Sequence, residues 1–307
     1  MKEYFSLFLK GVAMGTANII PGVSGGTIAL ITGIFERLIN SIKSFNLIAL
    51  KLILKGDFKG FAKHTDLYFI IVLFAGVGFA IISLARIFDF LFNEYPVYIW
   101  SYFFGLILAS VYFVGKTVSK WTTGTIVSFL IGSAIAIALT FMNPATENSS
   151  FFYLILCGVA AVCSMILPGL SGSFVLILMG NYQLVAIDAI NNLRFEILFP
   201  VLIGAVFGLL GFSYLLSWIF KRFRDLTIAL LTGFILGSLG IIWPWKNVVY
   251  MLDAAGEMIL KSGEPIVERY MMAAPVISTE FFIAIFIMLV GIASIWIIEK
   301  QALTEKK

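Results

Sequence analysis

Residues 11–40 read GVAMGTANIIPGVSGGTIALITGIFERLIN, and residues 158–187 read GVAAVCSMILPGLSGSFVLILMGNYQLVAI. At a constant offset of 147, Gly11 meets Gly158, Pro21 meets Pro168, Gly22 meets Gly169, Ser24 meets Ser171, Gly25 meets Gly172 and Gly33 meets Gly180. Each copy carries a long uncharged stretch broken in its middle by Pro-Gly-x-Ser-Gly. A broken apolar segment that recurs in both halves of a membrane protein is the sequence pattern that points to a transport site.

Working outward, the copies continue. At an offset of 128, Gly76 meets Gly204, Gly105 meets Gly233 and Ser110 meets Ser238, and FFGLILAS (103–110) aligns with LTGFILGS (231–238). The offset falls because the first copy holds an extra basic stretch, 43–65. The chain of 307 residues is 61% hydrophobic and only 12% charged, with mean hydropathy +1.03. A soluble domain carries about 25% charged residues, so a membrane protein is indicated. Six runs reach the roughly 20 apolar residues a bilayer requires: 67–88, 97–115, 122–142, 197–219, 226–243 and 281–298. No A-x-A-like cleavage site follows the first apolar stretch.

The expectation is an all-α polytopic membrane protein of two repeats. The first, 1–142, comprises a broken hairpin (5–40), the basic insert (43–65) and three spans. The second, 150–300, comprises a hairpin (151–190), three spans and a loop at 244–280. Three spans per repeat is odd, so the second repeat should be inverted. Charge placement agrees. With the N-terminus inside, Arg37, Lys43, Lys51, Lys55, Lys59, Lys63, Lys116, Lys120, Lys221, Arg222 and Arg224 all fall inside, as does the tail with Lys300, Lys306 and Lys307. That excess is the positive-inside rule. The insert spaces Lys51, Lys55 and Lys59 by four among leucines and isoleucines, a basic amphipathic helix for the inner surface. It reads as an anchor or as a gate. Residues 244–280 read as an outer loop with short amphipathic pieces.

Inside hydrocarbon every backbone N–H and C=O needs a partner, so a segment broken at Pro21-Gly22 must be buried in protein or line a polar cavity. Each leg is about 16 residues, roughly 24 Å as helix, a little short of the bilayer core. Re-entrant hairpins with tips inside the membrane are therefore expected. Ser24 or Thr27 is a natural N-cap for the helix that follows, and Gly22, Gly25 and Gly26 let a ligand approach the backbone. A helix start presents N–H groups and positive potential, suited to an anion. The second tip, Pro168-Gly169-Leu170-Ser171-Gly172-Ser173, offers the same from the opposite face. Two such tips would cradle a phosphate or carboxylate; the competing reading is close helix packing through small residues. Gly26 becoming Ser173 and Thr27 becoming Phe174 makes the tips unequal.

Ionisable residues within or at the edge of a membrane are functional candidates. Glu36 and Arg37 end the first hairpin. Arg86 either faces a cavity and contacts phosphate or pairs with Asp89 at the interface. Lys10 faces the cavity or snorkels. Asn18, Asn181 and Gln183 serve either ligand contact or helix–helix hydrogen bonding. Gly22-Val-Ser24-Gly-Gly26 also fits G-x-S-x-G, but a serine nucleophile needs a base. The only histidine, His64, lies in the basic insert, so hydrolase chemistry is set aside. Cys157 and Cys163, six apart on one helix, point roughly 120° apart and should not bridge. One His, two Cys and no carboxylate cluster carry no metal signature, no cofactor is indicated, and nothing suggests nucleic acid.

The run from Gly11 to Ala29, followed by Gly33-Ile-Phe-Glu36-Arg37-Leu, resembles the signature of the PopT family, and the resemblance extends over essentially the whole chain. It implies translocation of undecaprenyl phosphate, the lipid carrier of cell-wall synthesis, from the outer to the inner leaflet of the cytoplasmic membrane. The partners implied are a polyprenyl phosphate lipid, the bilayer, and protons or sodium as coupling ion. Asn18 departs from the pattern, standing where the family is associated with an acidic residue. The alternative function is secondary transport of a small anion by the same tips.

Overall fold

Glycines at matched positions bring matched helices together. The computed structural model describes residues 2–19, 24–142, 144–250, 260–261, 264–265 and 267–304. Helix α1 (Lys2–Ile19) lies along α6 (Leu67–Glu94), and α9 (Phe151–Ile166) lies along α12 (Phe195–Arg222). At the first crossing a Cβ on Gly11 would collide with the Leu73 carbonyl, and one on Gly76 with the Phe8 carbonyl. At the second, Gly158 abuts the Val201 carbonyl and Gly204 the Ile155 carbonyl, which are the residues matched to Leu73 and Phe8. The remaining long helices pair across the halves. Helix α7 (Pro96–Gly115) lies along α14 (Thr279–Thr304), and α8 (Thr123–Thr140) lies along α13 (Arg224–Gly237). Gly291 presses on the Tyr102 carbonyl as Gly132 presses on that of Leu230, the residue matched to Tyr102. Small residues at such crossings let backbones meet where no hydrophobic drive separates helix from lipid.

These crossings make opposite forecasts for neighbouring glycines. Gly76→Ala is expected to destabilise by about 1–3 kcal/mol, because the methyl meets backbone that cannot yield. Gly78, two residues on, faces open space. There Gly78→Ala should be neutral or stabilising by up to about 1 kcal/mol through helix propensity. Thermal unfolding of the purified variants in detergent decides it, and equal losses would refute the packing role.

Among the described residues, five helices are long and apolar enough to cross a membrane: α6, α7, α8, α12 and α14. The expected sixth span, 226–243, differs. Helix α13 has 14 residues and tightens into a 3₁₀ turn at Ser238–Gly240. Pro244 lies just beyond, and a proline excludes the helical conformation from the residue before it. The core is formed where α3 (Phe35–Lys43), α6, α7 and α13 meet, around the fully buried Phe35, Phe69, Ile107 and Ile235. The outward sides of the long helices are apolar and exposed, as at Ile82, Ile131 and Phe207. Apolar patches on that scale belong against lipid or a partner.

The hairpins are broken twice. After the first tip comes α2 (Gly25–Ile31), only seven residues, then a turn at Gly33, then α3. After the second comes α10 (Gly172–Leu178), also seven residues, then a turn at Gly180, a π-helical stretch Gln183–Asp188 and α11 (Ala189–Asn191). Gly33 and Gly180 take φ of +70° and +71°, the left-handed conformation that ends a helix and that glycine adopts without strain. The outgoing legs are thus not single helices of about 16 residues, because the second glycine of each copy stops them.

The basic insert forms two short helices rather than one, α4 (Leu47–Leu54) and α5 (Phe58–His64). Gly56, at φ +72°, turns the chain, and Asp57 Oδ1 accepts from the Gly60 N–H to start the second. Leu47, Ile48 and Leu54 stay exposed beside Lys51 and Lys55. In 244–280 the structure places strands. β1 (Lys246–Tyr250) pairs antiparallel with β4 (Val267–Met272), and β2 (Leu260–Lys261) with β3 (Glu264–Pro265). The Val-Val-Tyr and Tyr-Met-Met segments suit a pleated, half-buried surface, a signal that the amphipathic reading passes over.

Candidate functional site

The two breaks, remote in sequence, touch. Pro21 and Gly22 lie outside the described residues, but the helix start beyond them is built in detail. Ser24 caps α2: its Oγ accepts from the Gly26 N–H (3.1 Å) and donates to the Met165 carbonyl of the second hairpin (3.2 Å). Thr27 Oγ1 accepts from the Gly169 N–H (3.1 Å). A Cβ on Gly26 would stand 2.6 Å from the Ile166 carbonyl oxygen, so only glycine allows this approach. Ser24 and Thr27 are completely buried. Polar groups withdrawn from water are costly unless paired, and here each is paired across the junction.

In the second break Leu167 is extended, as a residue before proline must be. Pro168 is buried, and Gly169 turns at φ +84° against the Phe234 backbone of α13. Ser171 caps α10, accepting from the Phe174 N–H (3.2 Å), and its Oγ lies 3.2 Å from Ser173 Oγ.

The tips also differ at the residue that lies over the first glycine of each short helix. Asn18 Oδ1 accepts from the Gly25 N–H (2.8 Å), and the Asn18 amide lies over Gly25. Met165, at the same offset, lies over Gly172 in the same way. A thioether is at best a weak acceptor. With Ser24 receiving the Gly26 and Thr27 N–H groups at its side chain and carbonyl, the start of α2 is closed on itself. At the second tip the Met165 side chain covers Gly172, and the Ser171 hydroxyl is engaged by the Phe174 N–H and Ser173. Because α2 and α10 are about two turns long, their aligned dipoles are small.

Other expected residues lie elsewhere. Glu36 accepts from Arg224 Nε (3.1 Å), and Arg37 donates to Asp66 (2.6 and 3.1 Å) while stacking over Phe69. Both are exposed and bind segments of the Lys- and Arg-rich face, not the tips. Arg86 is on α6, but its side chain lies outside the described residues. Asn181 is buried and locks to the Asn148 backbone in both directions (2.8 and 2.9 Å), a structural clamp. Gln183 is exposed at the start of the π-helical stretch. His64 contacts Asn46 Oδ1 (3.2 Å) in the insert. Cys157 and Cys163 are free thiols.

One cluster was not expected. Ser217 of α12, buried, donates to Asn40 Oδ1 of α3 (3.0 Å) and accepts from Lys43 Nζ (3.3 Å), which lies over the Tyr214 ring. Phe35 and Phe220 pack beside it, with ring centroids 5.6 Å apart. Its signal was in the sequence as polar residues on apolar helices, but Lys43 was absorbed into the basic insert.

The description undecaprenyl phosphate translocase-like (VCA0040-like) matches residues 14–259, a range that includes both breaks and the α3–α12 cluster. The chain belongs to the undecaprenyl phosphate translocase-like family. Two relatives are similar over most of their length. A polyprenyl-phosphate transporter of Vibrio cholerae serotype O1 (strain ATCC 39315 / El Tor Inaba N16961) is 37% identical over 304 residues, covering 98% of this chain and 97% of that protein. A polyprenyl-phosphate transporter of Staphylococcus aureus (strain NCTC 8325 / PS 47) is 33% identical over 256 residues, covering 77% and 85%. No solved structure matches the fold. The family and both relatives are named for transport and not for an enzymatic reaction.

Proposed function

We propose that this member of the undecaprenyl phosphate translocase-like family moves a polyprenyl phosphate carrier lipid across the inner membrane, from the outer to the inner leaflet, for reuse in envelope synthesis. Its relatives' names support the substrate class. The observation that carries the mechanism is the junction of the two breaks, where Ser24 and Thr27 bond to the backbone at Met165 and Gly169. The phosphate is held there by the donors of the second tip, around Gly172 and Ser173, while the prenyl chain stays in lipid. The two repeats are inverted, with both termini inside. The matched glycine crossings and the charge asymmetry support that arrangement.

Alternating access follows from an asymmetry between the halves. Helix α3 packs on α12 of the other repeat, whereas the matching segment 183–191 packs on α12 within its own. Contacts between Phe35 and Phe220, Asn40 and Ser217, and Glu36 and Arg224 close the Lys- and Arg-rich face. Opening that closure releases phosphate inward, coupled to protons or sodium.

The test is translocation of labelled polyprenyl phosphate in liposomes carrying the purified protein, with and without a pH gradient. Protein-dependent movement is expected, and gradient dependence would identify proton coupling despite Asn18. No movement under either condition, with folded protein, would refute lipid transport and leave a small anion as substrate.

A further inference from the structure

The face that carries the start of β1 holds a cavity of about 390 Å³, lined among others by Trp100, Trp245, Lys246, Asn247, Ser278 and Glu280. The first turns of α7 and α14 form two of its walls, and the start of β1 forms a third. Lys246 extends from β1 so that its ammonium sits 3.9 Å from the centre of the Trp100 ring and donates to the Ile241 carbonyl. Burial strips water from this cation and lowers its pKa to about 8. The indoles are fixed in place: Trp100 packs on Phe92 at 5.1 Å, and Trp245 on Trp243 at 5.5 Å and Phe281 at 5.8 Å. Indoles at helix ends belong to the membrane–water boundary. Among the described residues, Lys246 and Glu280 are the ionisable members of the lining, and Glu280 is exposed.

A cation held in an apolar, indole-walled cavity attracts an anion far more strongly than one in water. The volume falls within the roughly 300–1,000 Å³ of small-molecule sites, more than a bare inorganic ion occupies. Alanines and Val276 extend the lining with apolar surface beside the charge. We infer that this cavity is a second phosphate site, which receives the headgroup of the carrier lipid at the membrane surface before it reaches the paired breaks. The inference rests on the proposed lipid transport for the identity of the lipid. Glu280 sits where it repels an arriving phosphate and so sets the affinity.

Trp100 and Trp245 supply the readout. The purified chain in nanodiscs is titrated with farnesyl phosphate, and separately with inorganic phosphate, while tryptophan emission is followed. Saturable quenching by farnesyl phosphate is expected, weakened at least tenfold by Lys246→Gln, retained by Lys246→Arg and tightened by Glu280→Gln. Unchanged affinity in Lys246→Gln overturns the site. Because Glu280→Gln lies at the exposed edge and spares the packing, an unchanged affinity there overturns it too, even where Lys246→Gln fails to fold. Equal affinity for inorganic phosphate assigns the cavity to free phosphate and refutes the lipid headgroup. Binding without any translocation in liposomes would sink the transport reading alone, whereas translocation with Lys246-independent binding would sink this site alone.

Discussion

Replacing Ser24 and Ser171 together by alanine is expected to abolish protein-dependent translocation of polyprenyl phosphate, with a rate at least tenfold below that of the unmodified chain. Each serine caps a seven-residue helix at a break, and Ser24 also bridges to the Met165 carbonyl. Losing a cap to alanine costs about 1 kcal/mol. Two such losses fall within the roughly 5–15 kcal/mol by which proteins are ordinarily stable. The fold should therefore survive while the Ser24 bridge to Met165 and the Ser171 hydroxyl are gone. Glycine separates the two effects, since it replaces a serine cap at a cost of a few tenths of a kcal/mol. The Ser24→Gly, Ser171→Gly chain keeps both helix starts and should be as inactive as the alanine chain. Full translocation in the glycine variant would show that neither the Ser24 bridge to Met165 nor the Ser171 hydroxyl is needed for transport.

The breaks were legible because hydrocarbon leaves little freedom. Proline and glycine in an apolar run have to be satisfied by protein, and their recurrence at one offset marks a pair. Gly33 and Gly180 were legible as matched letters, yet their conformation was not, and it divides each outgoing leg in two. That α7 chooses α14 and α8 chooses α13 depends on Gly105, Gly291, Gly132 and Gly233 meeting across the chain, which local periodicity does not encode.

Charged residues were the least legible part of the site. Glu36 and Arg37 sit at the end of a hairpin and look like ligands for a phosphate, but each found an opposite charge on a neighbouring segment. Sequence shows that a charge is near the membrane and not which partner reaches it first. The contrast between Asn18 and Met165 lay in plain view at the offset of 147. It gained meaning only when both proved to lie over the first glycine of a short helix.

Bridging α3 to α12 is expected to stop transport completely and reversibly. In a chain with Cys157 and Cys163 changed to alanine, Asn40→Cys and Ser217→Cys place two thiols where a side-chain hydrogen bond of 3.0 Å now joins the helices. A short, reducible thiol cross-linker should join them in high yield, because the two helices already lie in contact. Translocation should then cease and return on reduction. The unbridged variant should retain at least part of its rate, since it loses only the hydrogen bonds of Ser217 to Asn40 and from Lys43, each worth about 1 kcal/mol. Continued translocation with the bridge intact would show that this closure does not open during transport. The repeat gives the counterpart. At the same offsets, Tyr182 matches Phe35 and Phe92 matches Phe220, so the opposite closure should bring residues 182 and 92 together. Cysteines there should cross-link poorly while α3 and α12 are bridged, and better once they are free. A chain in which both bridges form at once would contain no alternation, because a carrier closed at both ends passes nothing and one closed at neither would leak.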